Sequence, residues 1–423
     1  MSMPPRPLTK AQRSRGLIGL IGSTVVALIG QFMVSTWLVF RLDAAAIPVE
    51  TIGWFSAAGW LGILAATPFT ARIVQGIGAR AALITSLVIP LITLMIIAST
   101  RSVGLWAVLT FVAGVAMSMR WVVAEAGIAE LAPAHRRGRI VGLYQTLLGV
   151  GFVISPTLLA WLTPGNPMVP VVAILFLMAG LLFTLVIPSL DIHVGSGPAP
   201  GWRGLWLAAR ATPSLMMAGF MGGFFELGVA SLLPVYGMAI GFAAATAALL
   251  ISTCGAGSAL MMLPMGEAAD RFTARRVTLF CATTNLLACL LLPLVPIWPA
   301  LAWPLAFVWG GSGGALYTVA MIDLGHRLRG VGLISATSLL VMCYTVGGLA
   351  GPIVSGHAIS WSIGIAMPAA FSLIAGAGLI IIWMTGRPRP GRSDQAGTDP
   401  PDYFLADQPM GPARRMNRVE KDE

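Results

Sequence analysis

Four ionisable side chains stand inside long apolar runs of this sequence: Arg120, Glu125, Glu226 and Asp323. The first two share the run from Gly104 to Leu131, GLWAVLTFVAGVAMSMRWVVAEAGIAEL. That is long enough to cross a bilayer, because about 20 residues cover ~30 Å of hydrocarbon. An arginine at such a depth costs on the order of 2.5–3.5 kcal/mol by insertion scales, so Arg120 must meet water, a solute or another helix. Glu125 does not simply neutralise it, since five residues at ~100° each place the two side chains about 140° apart around a helix. Two roles fit Arg120. The preferred one is a grip on an anionic or carbonyl-bearing solute, for which a planar guanidinium suits bidentate acceptors. The other is an ion pair with Glu226. Glu226 stands near the middle of its own run, where burial favours the neutral acid and a nearby arginine the charged form; a carboxylate between those influences can exchange a proton as its surroundings change. It is the expected proton site. Glu125 and Asp323 fit a solute or proton pathway, or equally a rim position where they bind loop arginines.

Methionines offer a second chemistry. Met217 and Met221, and likewise Met261 and Met265, are four residues apart and share a helix face. Thioethers suit Cu(I), but methionine is also an adaptable packing residue, and no histidine lies nearby to complete a site. Neither a resident metal nor a cofactor is expected. The four cysteines (Cys254, Cys281, Cys289, Cys343) lie in apolar runs without CxxC spacing and read as small buried hydrophobes. The glycines Gly219, Gly222 and Gly223, and the run Gly310 to Gly314, also lie within apolar runs, where small residues let helices approach closely.

The elements that must position these residues are membrane spans. The chain has 423 residues, 57% hydrophobic and 10% charged, against about 25% charged in soluble domains. The net charge of +10 does not point to nucleic acid, because the basic residues fall in short clusters between apolar runs with no aromatic interleaving. Twelve spans are expected, near Leu17–Phe40, Thr51–Thr70, Ala79–Ala98, Gly104–Leu131, Ile140–Leu162, Val169–Pro188, Pro213–Gly237, Ala243–Met265, Ala274–Leu292, Pro299–Leu324, Val331–His357 and Ser362–Thr385. The expected domains are a cytoplasmic N-terminal segment (1–16), a six-helix bundle (17–188), a central cytoplasmic loop (189–212), a second six-helix bundle (213–385) and a disordered cytoplasmic tail (386–423). With both termini in the cytoplasm, only Arg41 and Arg101 of the 26 Lys and Arg fall outside, and Arg120 falls within the membrane. The halves repeat: Arg80 and Arg275, and the prolines Pro156 and Pro352, are each about 195 residues apart, as a duplicated six-helix unit requires.

Those repeats carry a resemblance to the major facilitator superfamily over roughly residues 15–386. The family's loop signature, Gly-x3-Asp-Arg-x-Gly-Arg-Arg, is met by Gly266, Asp270, Arg271, Arg275 and Arg276, with Thr273 where the second glycine is usual and the arginine pair one residue late, after Ala274. The first-half copy is degraded. The resemblance implies two six-helix bundles, a cavity lined by spans 1, 4, 7 and 10, and alternating access, with Asp270 and Arg271 forming a structural gating contact. It also sets Gln31 on span 1 and Tyr317 on span 10 beside the four ionisable residues. Two departures stand out. Thr110 occupies the position before Phe111 and Gly114 where the family often has arginine, and in span 5 Ser155, Leu159 and Ala160 replace glycines of the drug-exporter motif. The stretch Trp121–Glu125 followed by Arg-Gly is similar to a subgroup with riboflavin and copper importers.

The expectation is an all-α integral membrane protein of the bacterial inner membrane, a monomer, moving a small organic solute by secondary, proton-coupled transport. No Walker sequence supplies another energy source. The alternatives are a metal importer using the methionines, or a non-transporting sensor or intramembrane enzyme. The last would need a soluble signalling domain or a catalytic set such as HExxH or GxSxG, and neither is expected.

Overall fold

The computed structural model describes residues 9–133, 137–187, 202–328 and 330–386. The expectations for 1–8, for most of the central loop and for the tail from 387 lie outside the described residues. Among the described residues there are helices and no strands, and twelve helical spans are long and apolar enough to cross a membrane. The first six are α1 (Lys10–Ala44), α2 (Val49–Ile77), α3 (Ala79–Ser99), α4 (Val103–Leu131), α5 (Arg137–Leu162) and α6 (Met168–Val186). A short α7 (Trp202–Ala211) precedes the second six. The seventh span runs through α8 (Pro213–Gly223) to α9 (Leu233–Ala239), followed by α10 (Ala244–Phe272), α11 (Ala274–Leu291), α12 (Ala302–Arg327), α13 (Gly330–Trp361) and α14 (Ala366–Thr385). The face on which α1 begins is called the N-face below, and the opposite one the far face.

Three elements depart from the sequence reading. First, α1 starts at Lys10 rather than Leu17. Thr9 accepts from the Gln12 amide (3.2 Å) while the Gln12 side chain accepts from the Thr9 amide (2.9 Å), a reciprocal cap that holds a helix start whatever the hydropathy. Second, the central segment contains α7, in which the Arg210 guanidinium lies 3.8 Å over the Trp206 ring one turn earlier, a pairing that four-residue spacing allows. Third, the seventh span is not continuous. A π-helical turn (Phe224–Gly228) and a 3-10 turn (Val229–Leu232) interrupt it.

The duplicated unit shows in the packing of its motifs. Gly151 on α5 sits against Leu28 and Ile29 of α1, while Gly347 and Gly351 on α13 sit against the backbone of the seventh span. It also shows in backbone geometry. Gly78, between α2 and α3, has φ +84°, and Thr273, between α10 and α11, has φ +121°. The loop signature places glycine there because that turn needs a conformation costing other residues about 1–3 kcal/mol. Thr273 takes it and caps α11, accepting from the Arg276 amide at 3.4 Å. Replacing a threonine cap by glycine costs only a few tenths of a kcal/mol. Thr273→Gly is therefore expected to stabilise the protein by about 1 kcal/mol, read as a raised melting temperature in detergent; a lower one would show the turn to be unstrained.

Candidate functional site

Arg120 lies on α4, 1% exposed. Its partner is Gln31 on α1: Arg120 Nη2 donates to Gln31 Oε1, and Arg120 Nη1 has no hydrogen-bond partner among the described residues. Tyr144 on α5 sits within electrostatic reach of Arg120 and of Glu125. Arg120 and Glu226 form no ion pair among the described residues, so the pairing expectation is not met in this arrangement.

Glu226 occupies the π turn of the seventh span and is 7% exposed. Its carboxylate accepts from Ser258 on α10 (2.5 Å) and from the Tyr344 hydroxyl on α13 (2.9 Å), and its carbonyl faces the Cys254 thiol at 3.5 Å. The wide turn fits because its neighbours are small. A Cβ on Gly313 would meet the Glu226 backbone, and one on Gly314 would meet its Oε1 at 3.0 Å. The glycine run of α12 thus makes room for a carboxylate, beyond ordinary helix approach. Its Gly-Gly-Ser-Gly-Gly spacing also matches G-x-S-x-G, but Ser312 is mid-helix with its hydroxyl donating to Val308 O, not on the strand-to-helix elbow that a hydrolase needs.

The remaining expected residues separate. Tyr317 on α12 packs at a tilt against Tyr344, with ring centroids 4.7 Å apart, and so belongs to the Glu226 group. Glu125 is exposed, accepts from Trp121 Nε1 at 2.8 Å, and lies within electrostatic reach of Tyr144 and Tyr317. It stands between the two halves, on the N-face side. Asp323 is bound at both oxygens by Arg327 one turn on, at 2.6 and 2.7 Å. The arginine belongs to the last turn of the same helix rather than to a loop. In the loop signature, Arg275 donates to Trp383 O of α14 at 3.3 Å, Arg271 and Arg276 are exposed, and Gly266 has only Ile322 near it. The Asp270 side chain lies outside the described residues. Met221 packs on Gly378 of α14 and Met261 on Gly311 of α12, so these two members of the methionine pairs lie against different helices.

A cavity of about 160 Å³ lies beside Gln31, in the far half of the first bundle. Its walls come from α1 to α6, the seventh span and α10, with none from α12. Of the expected spans 1, 4, 7 and 10, the first three line this cavity, while α12 packs against Glu226 and α10. Arg120 is not on the cavity wall; it stands behind Gln31. A water-sized void of about 10 Å³ beside Glu226 shares Phe152, Leu227, Ala230 and Ile251 with the larger cavity. The two bundles meet from the far face to mid-depth. Gly53 packs on Pro352, Trp60 on Gly348, Gly149 on Ala259, and the Thr157 and Ser252 hydroxyls are 3.0 Å apart. The Gln31–Arg120 contact was not legible in the sequence, since 89 residues separate the partners and only their depth in α1 and α4 links them.

Twelve spans in two repeated bundles, with buried polar groups between and within them, describe a membrane carrier. The family model of the Major Facilitator Superfamily matches residues 20–333 and 241–419, and the chain belongs to that superfamily. It is similar to the uncharacterised MFS-type transporter YcaD of Salmonella arizonae, 24% identical over 343 residues (79% of this chain, 86% of the relative). The YcaD protein of Salmonella typhimurium is 26% identical over 345 residues, with the same two coverages. Among solved structures, the fold matches the nucleoside transporter NupG, with TM-score 0.67, 14% identity, and 86% of this chain and 98% of that one covered. A point mutant of NupG matches with TM-score 0.71, covering 88% and 98%. The protein is thus a multi-pass membrane transporter of a small-molecule solute, not an enzyme.

Proposed function

We propose that the protein carries a small organic solute across the bacterial cytoplasmic membrane by alternating access, as a monomer coupled to protons, with its N-face in the cytoplasm. The single observation that carries the coupling is Glu226, a buried carboxylate held by two hydroxyls, Ser258 and Tyr344, with no cation paired to it among the described residues. An ionised carboxylate is costly to bury without a cation, and proton uptake removes that cost. The π turn around Glu226, a form common at functional sites, lies where the seventh span touches α10, α12 and α13, so a change in its charge bears on both the cavity wall and the second bundle. At 14% identity the likeness to NupG carries the fold alone, so its solute is not transferred.

Alternating access requires the far-side contact between bundles to open. In a background without the native cysteines, Thr157→Cys with Ser252→Cys should form a disulfide, because the native hydroxyls are already 3.0 Å apart. Oxidation is expected to stop solute flux through proteoliposomes and reduction to restore it. Flux that continues through the cross-linked protein would exclude opening at this contact. In intact cells, a cysteine at Gly165 in the far-face turn should react with an impermeant maleimide, and no reaction would reverse the proposed orientation.

A further inference from the structure

We infer that the cavity beside Gln31 takes a neutral solute built on one aromatic ring and bearing two or three hydrogen-bonding groups. This deepens the transporter reading and rests on it.

Charge decides first. Among the described residues no ionisable side chain lines the cavity; Arg120 stands behind Gln31 and off the wall, and Arg41, also off the wall, is spent on the carbonyls of the wall residue Ile97 and of Thr100. A charged solute would exchange its hydration for a wall that cannot pair with it, which disfavours its entry.

Hydrogen bonding decides next. Arg120 only donates, so the Gln31 atom it meets is the oxygen, and the Gln31 amide nitrogen is left with both protons to offer. Ser56 and Thr110, on facing helices α2 and α4, also line the wall, and their hydroxyl oxygens are buried without a partner. Threonine in a helix divides between two χ1 rotamers, so a hydroxyl unpaired in the empty protein can turn to a solute. Thr36 on the wall likewise makes no hydrogen bond among the described residues, whereas Ser35, Thr93 and Ser231 are partly spent, donating to carbonyls of their own helices. These four free groups (Gln31, Thr36, Ser56, Thr110) are too few for a hexose, which would bury some of its hydroxyls unpaired. They suit a ring with a hydroxyl or carbonyl at each end.

Shape decides the ring. Phe32 and Phe152 meet with centroids 4.1 Å apart, and Phe55 and Trp60 complete an aromatic lining able to take a flat face in stacked or edge-on contact. A cavity of about 160 Å³ compares with the ~150 Å³ apolar cavity that binds one benzene.

The test uses four probes on one para-substituted ring with the purified full chain in detergent: neutral 4-hydroxybenzyl alcohol, anionic 4-hydroxybenzoate, cationic tyramine and apolar p-xylene. Binding is read by titration calorimetry and melting temperature. The neutral alcohol should bind at least about tenfold tighter than each of the others. Ser56→Ala and Thr110→Val should each weaken that binding about three- to tenfold, the worth of one hydrogen bond. Neither should lower the melting temperature of the empty protein, because each deletes a buried hydroxyl that has no partner there. The inference is overturned if another probe equals or surpasses the alcohol, if both substitutions leave its affinity unchanged, or if no probe binds. Detergent binding needs no gradient and no opening of the far contact, so a failure here with a successful Thr157–Ser252 cross-link removes the solute class and leaves the transporter reading standing. The reverse result leaves the binding site and removes the alternating-access reading.

Discussion

Glu226→Gln is expected to abolish accumulation of solute against its gradient while solute exchange between equal pools continues at a rate within about threefold of the wild type. A pH difference of one unit holds about 1.4 kcal/mol per proton, enough for about tenfold accumulation with one proton per solute. With glutamine the accumulation ratio should fall to about one. The amide keeps the shape of the protonated acid. Its oxygen can still accept from Ser258 or Tyr344, and no cation is left unpaired by the change, since Glu226 has no ion-pair partner among the described residues. Stability should therefore hold, which separates a coupling role from a structural one. Glu226→Leu removes the acceptor altogether and leaves the Tyr344 hydroxyl buried without its partner, at a cost of about 1–3 kcal/mol; loss of transport there would be ambiguous. The measurement is solute uptake into proteoliposomes with and without an imposed pH gradient. Accumulation that persists in Glu226→Gln at wild-type level would remove Glu226 from the coupling mechanism.

The fold was legible because membrane insertion imposes a coarse code. Runs of about 20 apolar residues, arginines on one side and an offset of about 195 residues between the halves are each enforced by a physical requirement, and they agree. What escaped was set by contacts between distant helices. Nothing in the run Gly222–Gly228 departs from a helical pattern; the π turn there comes from backbone contact with Gly347 and Gly351 of α13 and from the space above Gly313 and Gly314. The start of α1 escaped for the opposite reason, because Thr9-x-x-Gln12 is a local polar signal that hydropathy ignores. The sequence marks ionisable residues within the spans, but not how they group in space. Depth along a span can be counted, whereas the direction a side chain faces depends on which neighbours approach. Asp323 and Glu125 show this most clearly: both stand toward the N-face, one closed onto Arg327 and the other exposed between the halves.

Arg120 should prove to be a positioning residue, acting on the solute through Gln31. Gln31→Leu leaves the guanidinium buried with no hydrogen bond to either terminal nitrogen, and breaking one side of a buried charged contact costs about 3–5 kcal/mol. Arg120→Met leaves a neutral amide unpaired, at about 1–3 kcal/mol. The double variant Gln31→Leu, Arg120→Met removes both groups and replaces them with apolar volume, so it should regain most of the lost stability and show a coupling of about 2 kcal/mol or more in the cycle. It should not regain transport, because the amide donor at the cavity is gone. Arg120→Lys, which can still donate to Gln31 Oε1, is expected to keep solute affinity within about fivefold; a bidentate grip on the solute would not survive that change. The charge exchange Arg120→Glu with Glu226→Arg should rescue neither stability nor flux, since the two residues form no ion pair here. Thermal unfolding of the purified variants, together with flux through proteoliposomes, checks each step. If the charge exchange restores both quantities, Arg120 pairs with Glu226 during the cycle and the assignment to Gln31 fails. If Arg120→Lys loses solute affinity by tenfold or more while keeping its stability, the guanidinium itself reaches the solute.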